Sequence, residues 1–137
     1  MFDKKYEDRL KIWSDFRKSL EVSETPIKDA IEFYSRAPLV SIQVDPYDKS
    51  TWLDPWDLVY ENKYCEFAII LGIAYSLQLT ERFSQAKFEI HICTDNEKSE
   101  VKYLLNVNDD IIGYTIDGAI SKAELPKNLI VETKYTL

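Results

Sequence analysis

The residues with the greatest chemical potential are a thiol, an imidazole and carboxylates spread over one stretch of chain: Cys65, His91, and either Asp95 or Asp109. Cys65 opens an apolar segment that reads as a helix, and a thiolate at a helix N-terminus is stabilised by the dipole. A nearby imidazole could take its proton, and a carboxylate could orient that imidazole. Those are the roles of a cysteine hydrolase or acyltransferase, with Cys65 as nucleophile, His91 as base and Asp109 as orienter. Strand alternation works against the arrangement. Phe88, Ile90 and Ile92 take one face of the strand that carries His91, which turns His91 away from a helix packed on that face. The competing reading, and the favoured one, makes Cys65 a small buried hydrophobe and His91 a partly exposed strand residue.

Other chemistry has thinner support. Cys65, His91, Cys93 and Asp95 supply donor atoms, but structural zinc sites show two close ligand pairs, and His91-x-Cys93 is one pair alone. Asp45 with Asp48, and Asp109 with Asp110, sit in turns without calcium-loop spacing. The three glycines, Gly72, Gly113 and Gly118, make no phosphate-binding loop. No metal and no cofactor are expected. The connection from Asp45 to Trp56 crowds prolines and aromatics together. Its Tyr47, Trp52 and Trp56 either form a partner-binding surface, since aromatic anchors dominate interfaces, or plug the core from the side. Trp13, on an amphipathic first helix, is a further candidate for docking a partner.

The elements that must position these residues follow from periodicity. Tyr6, Leu10, Trp13, Phe16 or Arg17, and Leu20 recur at three-to-four spacing and predict a helix from about Asp3 to Val22. Lys4, Lys5, Arg9 and Lys11, interleaved with acids, read as its solvated face. Thr25 as N-cap and Pro26 at the first helical position start a second helix carrying Ile27, Ile31 and Tyr34, so residues 1–36 form a helical hairpin. Leu39 to Val44 reads as a strand. Asp54-Pro55-Trp56-Asp57 repeats the start signal for a short helix ending near Glu61. Tyr64 to Leu79 is apolar nearly all round and predicts a central buried helix, with Gly72 permitting close approach of a neighbour.

Beyond Gln85 the period becomes two. Phe88 to Cys93 and Val101 to Val107 form an antiparallel hairpin around a polar turn, Thr94 to Ser99. Ile111 to Tyr114 and Leu129 to Tyr135 are later strands, with turns at Asn108-Asp109-Asp110 and at Asp117-Gly118. Helices first and strands last define an α+β fold, a central helix on a mainly antiparallel sheet. The expectation is a single domain over 1–137, with the α+β core at 37–137.

Composition excludes several function classes. With 137 residues, 45% hydrophobic and 13% aromatic, the chain has enough apolar side chains for a core. A net charge of −7 argues against nucleic acid or an anionic membrane as partner. Two cysteines in apolar segments read as free thiols of a reducing compartment. The start, Met1-Phe2-Asp3-Lys4-Lys5, lacks a signal-peptide core, and the run Phe67 to Ala74 falls short of the roughly 18 apolar residues of a membrane span.

Two resemblances add to this. The order of Cys65 on a helix, then His91 and an acid on following strands, resembles the core of transglutaminase-like cysteine enzymes over Tyr64 to Asp109. Tyr64 stands where that family has Gly, and Cys93 where it has an aromatic. Phe33-Tyr34-Ser35-Arg36-Ala37-Pro38-Leu39-Val40, Val44-Asp45-Pro46-Tyr47, Trp52-x-Asp54-Pro55-Trp56, Tyr64-Cys65-Glu66-Phe67-Ala68 and Leu77-Gln78-Leu79-Thr80 together look like a family of small uncharacterised proteins of tailed marine phages, especially cyanophages. That second resemblance implies a non-enzymatic structural or assembly component. It would act in the host cytoplasm or the virion, with other phage structural proteins or a second copy as partner.

Overall fold

The structure, a computed structural model, describes residues 1–40, 44–116 and 118–137. Four helices come first: α1 (Tyr6–Val22), α2 (Pro26–Tyr34), α3 (Pro55–Glu61) and α4 (Glu66–Gln78). Five strands follow: β1 (Phe88–Asp95), β2 (Glu100–Val107), β3 (Asp110–Ile112), β4 (Ile120–Ser121) and β5 (Leu129–Thr136). The strands make one sheet in the order β4-β3-β2-β1-β5, with every neighbouring pair antiparallel. This is the expected α+β fold, helical hairpin and central helix included. Of the strand expected at Leu39 to Val44, residues 41–43 lie outside the described residues, and Leu39 makes an isolated parallel bridge to Tyr64. Asp117, from the expected Asp117-Gly118 turn, also lies outside them.

Local chemistry accounts for the helix ends. Asp54 accepts from the Asp57 backbone N–H at 2.8 Å, Pro55 opens α3, and Asn62 closes it in the left-handed region at φ 53°. Thr25 occupies the N-cap position of α2 but makes no side-chain cap; its hydroxyl donates instead to Asp29 Oδ1 at 3.0 Å. Cys65 caps α4, its Sγ accepting from Ala68 N–H at 3.4 Å, so the helix starts at Glu66 rather than Tyr64.

Helix α4 is the hub. Phe67, Leu71, Ala74 and Leu77 are fully enclosed, and they share one apolar cluster with Leu20 of α1, Tyr34 of α2, Leu58 of α3, Phe88 and Ile90 of β1, and Leu105 and Val107 of β2. Gly72 is where α2 comes closest: a methyl group there would overlap the Tyr34 ring. One turn further on, Ser76 ties three helices together. Its hydroxyl donates to the Gly72 carbonyl at 2.8 Å and accepts from Trp13 Nε1 at 2.9 Å. A hydroxyl has one proton to give, so at the 3.0 Å contact with Ser76 the Tyr34 hydroxyl is the donor. Burial pushes the Tyr34 phenol up to about 12.

The sheet has a second, smaller cluster on its other face: Cys93, Leu104 and Ile111, with Ile120, Leu125 and Leu129 packed against them. This is the face that the alternation of β1 turns away from α4. The segment from β4 through the 3₁₀ turn Lys122–Glu124 folds over it, held by a capping box in which Glu124 Oε1 accepts from both Ser121 N and Ser121 Oγ at 3.0 Å. The outer edge of β5 is protected against pairing. It carries a register shift opposite Ile92 and Cys93 and the charged Lys134, while the Lys49 ammonium donates to the Thr136 carbonyl at 2.7 Å.

Candidate functional site

The thiol, imidazole and carboxylates do not converge. Cys65 lies on the helix side of the sheet, in a recess of about 310 Å³ lined by Val44, Pro46, Glu66, Phe67 and Tyr103. His91 pairs with Leu104, whereas Tyr103 pairs with Ile92, so the alternation of β1 and β2 puts His91 on the opposite face from Cys65. No bulge in the β1–β2 ladder re-aims it; the register runs unbroken from Phe88 to Asp95. Asp109 sits in the exposed turn after β2, past the Phe88–Val107 end of the hairpin. The expected order of roles is therefore present along the chain and absent in space.

Each of these groups has another occupation. The His91 Nε2 stands 3.4 Å from Glu89 Oε1. Burial pulls the imidazole below its ordinary pKa, the Glu89 contact pulls it up, and Lys134 and Lys122 add to the lowering. Cys93 is buried and free, and burial pushes its thiol up. Asp95 closes the β1–β2 turn, its Oδ1 accepting from Glu97 N at 3.0 Å, Lys98 N at 3.2 Å and Asn128 Nδ2 at 2.7 Å. Desolvation would raise its pKa, but these bonds outweigh it and hold the carboxyl below its ordinary value. Among the described residues no cluster of three or more His, Cys, Asp or Glu is placed to hold a metal ion.

The aromatic candidates separate cleanly. Trp13 is 1% exposed with its N–H committed to Ser76, so it is core and cannot dock a partner. Trp52 is a plug: its ring packs on Phe67 and Tyr135, each at 4.9 Å between centroids, and its N–H donates to the Asp45 carbonyl at 3.1 Å. Tyr47 is half-exposed at the tip of that loop, and its carbonyl accepts from Tyr135 Oη at 2.8 Å. The loop is thus strapped to β5. Trp56 alone of the three tryptophans is exposed, at 48%, and Tyr60, one turn further along α3, is exposed at 61%.

Helix α3 presents two rows to solvent. Trp56 and Tyr60 form one i,i+4 row; Asp57 and Glu61 form the next, while Leu58 and Val59 face inward. Both exposed rings are braced from α1: Trp13 meets Trp56 edge-on at 5.8 Å, and Tyr6 meets Tyr60 edge-on at 5.0 Å. The helix itself is clamped from below by Arg9, 8% exposed, whose Nε donates to the Val59 carbonyl and Nη2 to the Tyr60 carbonyl, both at 3.0 Å. Its Nη1 reaches the Lys4 carbonyl. Arg9, expected on a solvated face, is instead the buried cation at the C-terminal end of α3. Its partners lie 50 and 51 residues away and are backbone atoms, so no sequence pattern marks them.

A second open feature is an apolar groove of about 670 Å³ between α2, α4 and β2–β3, lined by Ile31, Ile69, Ile73, Val101, Tyr103 and Ile112 among others. At its rim Lys102 and Glu100 approach to 3.8 Å and offset one another, leaving Glu66 as the unpaired acid among the described lining residues.

Together these features define an α+β domain with its helices on one face of an antiparallel sheet and a braced aromatic surface on its shortest α-helix. No protein-family model matches the chain, and no curated protein or solved structure matches it. Among the described residues no helix is long and apolar enough to cross a membrane.

Proposed function

We propose that the chain is a non-enzymatic protein-interaction module, acting as a structural or assembly component of a tailed phage particle and working in the host cell where such particles form. The observation that carries the interaction reading is the outer face of α3, where Trp56 and Tyr60 are exposed yet braced by Trp13 and Tyr6. Aromatic side chains fixed before binding lose little conformational entropy on contact, which is what makes them effective anchors. The setting in a phage particle rests on the resemblance of the Phe33–Val40, Val44–Tyr47 and Trp52–Trp56 segments to the marine phage family.

The test is co-purification from host cells that assemble particles, with tagged wild-type chain compared with the double variant Trp56→Ala/Tyr60→Ala. The expected result is that the wild type remains with purified particles or captures a defined particle protein, and that the variant, folded by circular dichroism, does neither. Absence of the wild type from particles together with no captured particle protein would overturn the assignment.

A further inference from the structure

We infer that the outer face of α3 docks an arginine-bearing segment of a protein partner, the guanidinium groups lying over Trp56 and Tyr60 and pairing with Asp57 and Glu61. This rests on the interaction reading above and specifies the partner's chemistry. Asp57 and Tyr60 are i,i+3 neighbours on α3, so a cation placed over the Tyr60 ring is also within reach of the Asp57 carboxylate, with Trp56 and Glu61 extending the two rows by one turn. A planar guanidinium suits both, since it stacks on an aromatic face and offers a fork of donors to a carboxylate.

The acids are uncompensated. Among the described residues neither Asp54, Asp57 nor Glu61 takes part in an ion pair. The nearby cation Arg9 is turned inward, its guanidinium spent on the backbone carbonyls of Lys4, Val59 and Tyr60. The charge of Asp54, then desolvation, and further out the charge of Glu61, push the Asp57 carboxyl above its ordinary value. Asp54 has a structural duty as the α3 cap and Asp57 stands favourably in the first turn, whereas Glu61, in the last turn, has no such duty and no ion-pair partner among the described residues. A bound cation relieves the repulsion among these acids.

The other open surfaces lack this selectivity. The groove beside α4 holds Lys102 against Glu100 and leaves Glu66 as a single unpaired acid, and the β5 edge is blocked by its bulge, Lys134 and Lys49.

The probe is a capped alanine-based helical peptide with two arginines spaced i,i+4 and one leucine between them, compared with the same peptide carrying citrulline at both positions. Citrulline keeps the shape and loses the charge. Binding is followed by amide chemical shifts of the ¹⁵N-labelled full chain. The arginine peptide is expected to shift residues of α3 and to bind about tenfold more tightly than the citrulline peptide, equivalent to about 1.4 kcal/mol. In Asp57→Asn/Glu61→Gln that advantage disappears, and in Trp56→Ala/Tyr60→Ala both peptides lose affinity.

Equal affinity for the two peptides, shifts centred away from α3, or no binding at millimolar concentration would each overturn the inference. A negative peptide result with particle-protein capture that still depends on Trp56 and Tyr60 removes the arginine assignment and leaves the interaction reading. Capture indifferent to both residues, with the peptide result positive, removes the proposed function and leaves the cation site.

Discussion

Replacing Arg9 by methionine isolates the clamp that sets the position of α3. Methionine keeps much of the apolar stem and removes the guanidinium, leaving the Val59 and Tyr60 carbonyls at the end of α3 without their donors. Hydrogen bonds to a charged group contribute about 1.5–3 kcal/mol each, so losing two costs about 3 kcal/mol or more. With a urea m-value of about 2 kcal/mol/M, the unfolding midpoint falls by about 1.5 M. The assay is equilibrium urea unfolding of wild type, Arg9→Met and Arg9→Lys, read by far-UV circular dichroism. The lysine variant, with one ammonium for a fork of donors, falls between the other two. Amide hydrogen exchange should accelerate more in α3 than in α4, because the lost bonds end on α3. A midpoint shift for Arg9→Met below about 0.5 M, equivalent to about 1 kcal/mol, would refute the clamp and return Arg9 to the solvated face.

Three other substitutions test the core and the hairpin. Tyr34→Phe removes the donor to Ser76 and lowers stability by about 1 kcal/mol, whereas Tyr64→Phe removes a buried hydroxyl that has no partner and leaves stability unchanged or raises it; urea midpoints of opposite sign, or zero for Tyr64→Phe, are the check. Asp95 has its carboxyl held below its ordinary 3.8, so its contribution is present above that pH and is lost as pH falls through the folded-state value. Wild type should therefore lose more stability between pH 5 and pH 3 than Asp95→Asn does, measured as the difference in urea midpoints.

Much of the fold was legible because its signals are local. Asp54-Pro55 names the start of α3 through one side chain and one fixed φ, and the continuous apolar run of α4 could only be a helix covered on most sides. The alternations Phe88, Ile90, Ile92 and Val101, Tyr103, Leu105, Val107 predicted the antiparallel hairpin, and that of β1 the separation of His91 from Cys65. What sequence could not supply was long-range. Trp13, Trp52 and Trp56 are alike as residues, and only the hydrogen bond to Ser76, the stack on Phe67 and the edge contact from α1 tell core, plug and surface apart. The outer cluster of Cys93, Leu104 and Ile111 was hidden because its cover, Ile120, Leu125 and Leu129, is a set of single apolar residues spaced through a short strand and a turn with no periodicity to mark them. Arg9 was misread for the same reason: charge in an amphipathic pattern looks solvated until its backbone acceptors come into place.

The most direct measurement of the central claim is site-specific photo-crosslinking in cells that assemble particles, with p-benzoylphenylalanine at position 60 on the outer face of α3 and, separately, at position 131 in β5. Both positions are exposed, Tyr60 at 61% and Val131 at 43%. The account predicts that position 60 crosslinks to one particle protein through an arginine-bearing segment and that position 131 does not. Crosslinking from position 131 with none from position 60 would contradict it, and so would the absence of any particle-protein crosslink from position 60.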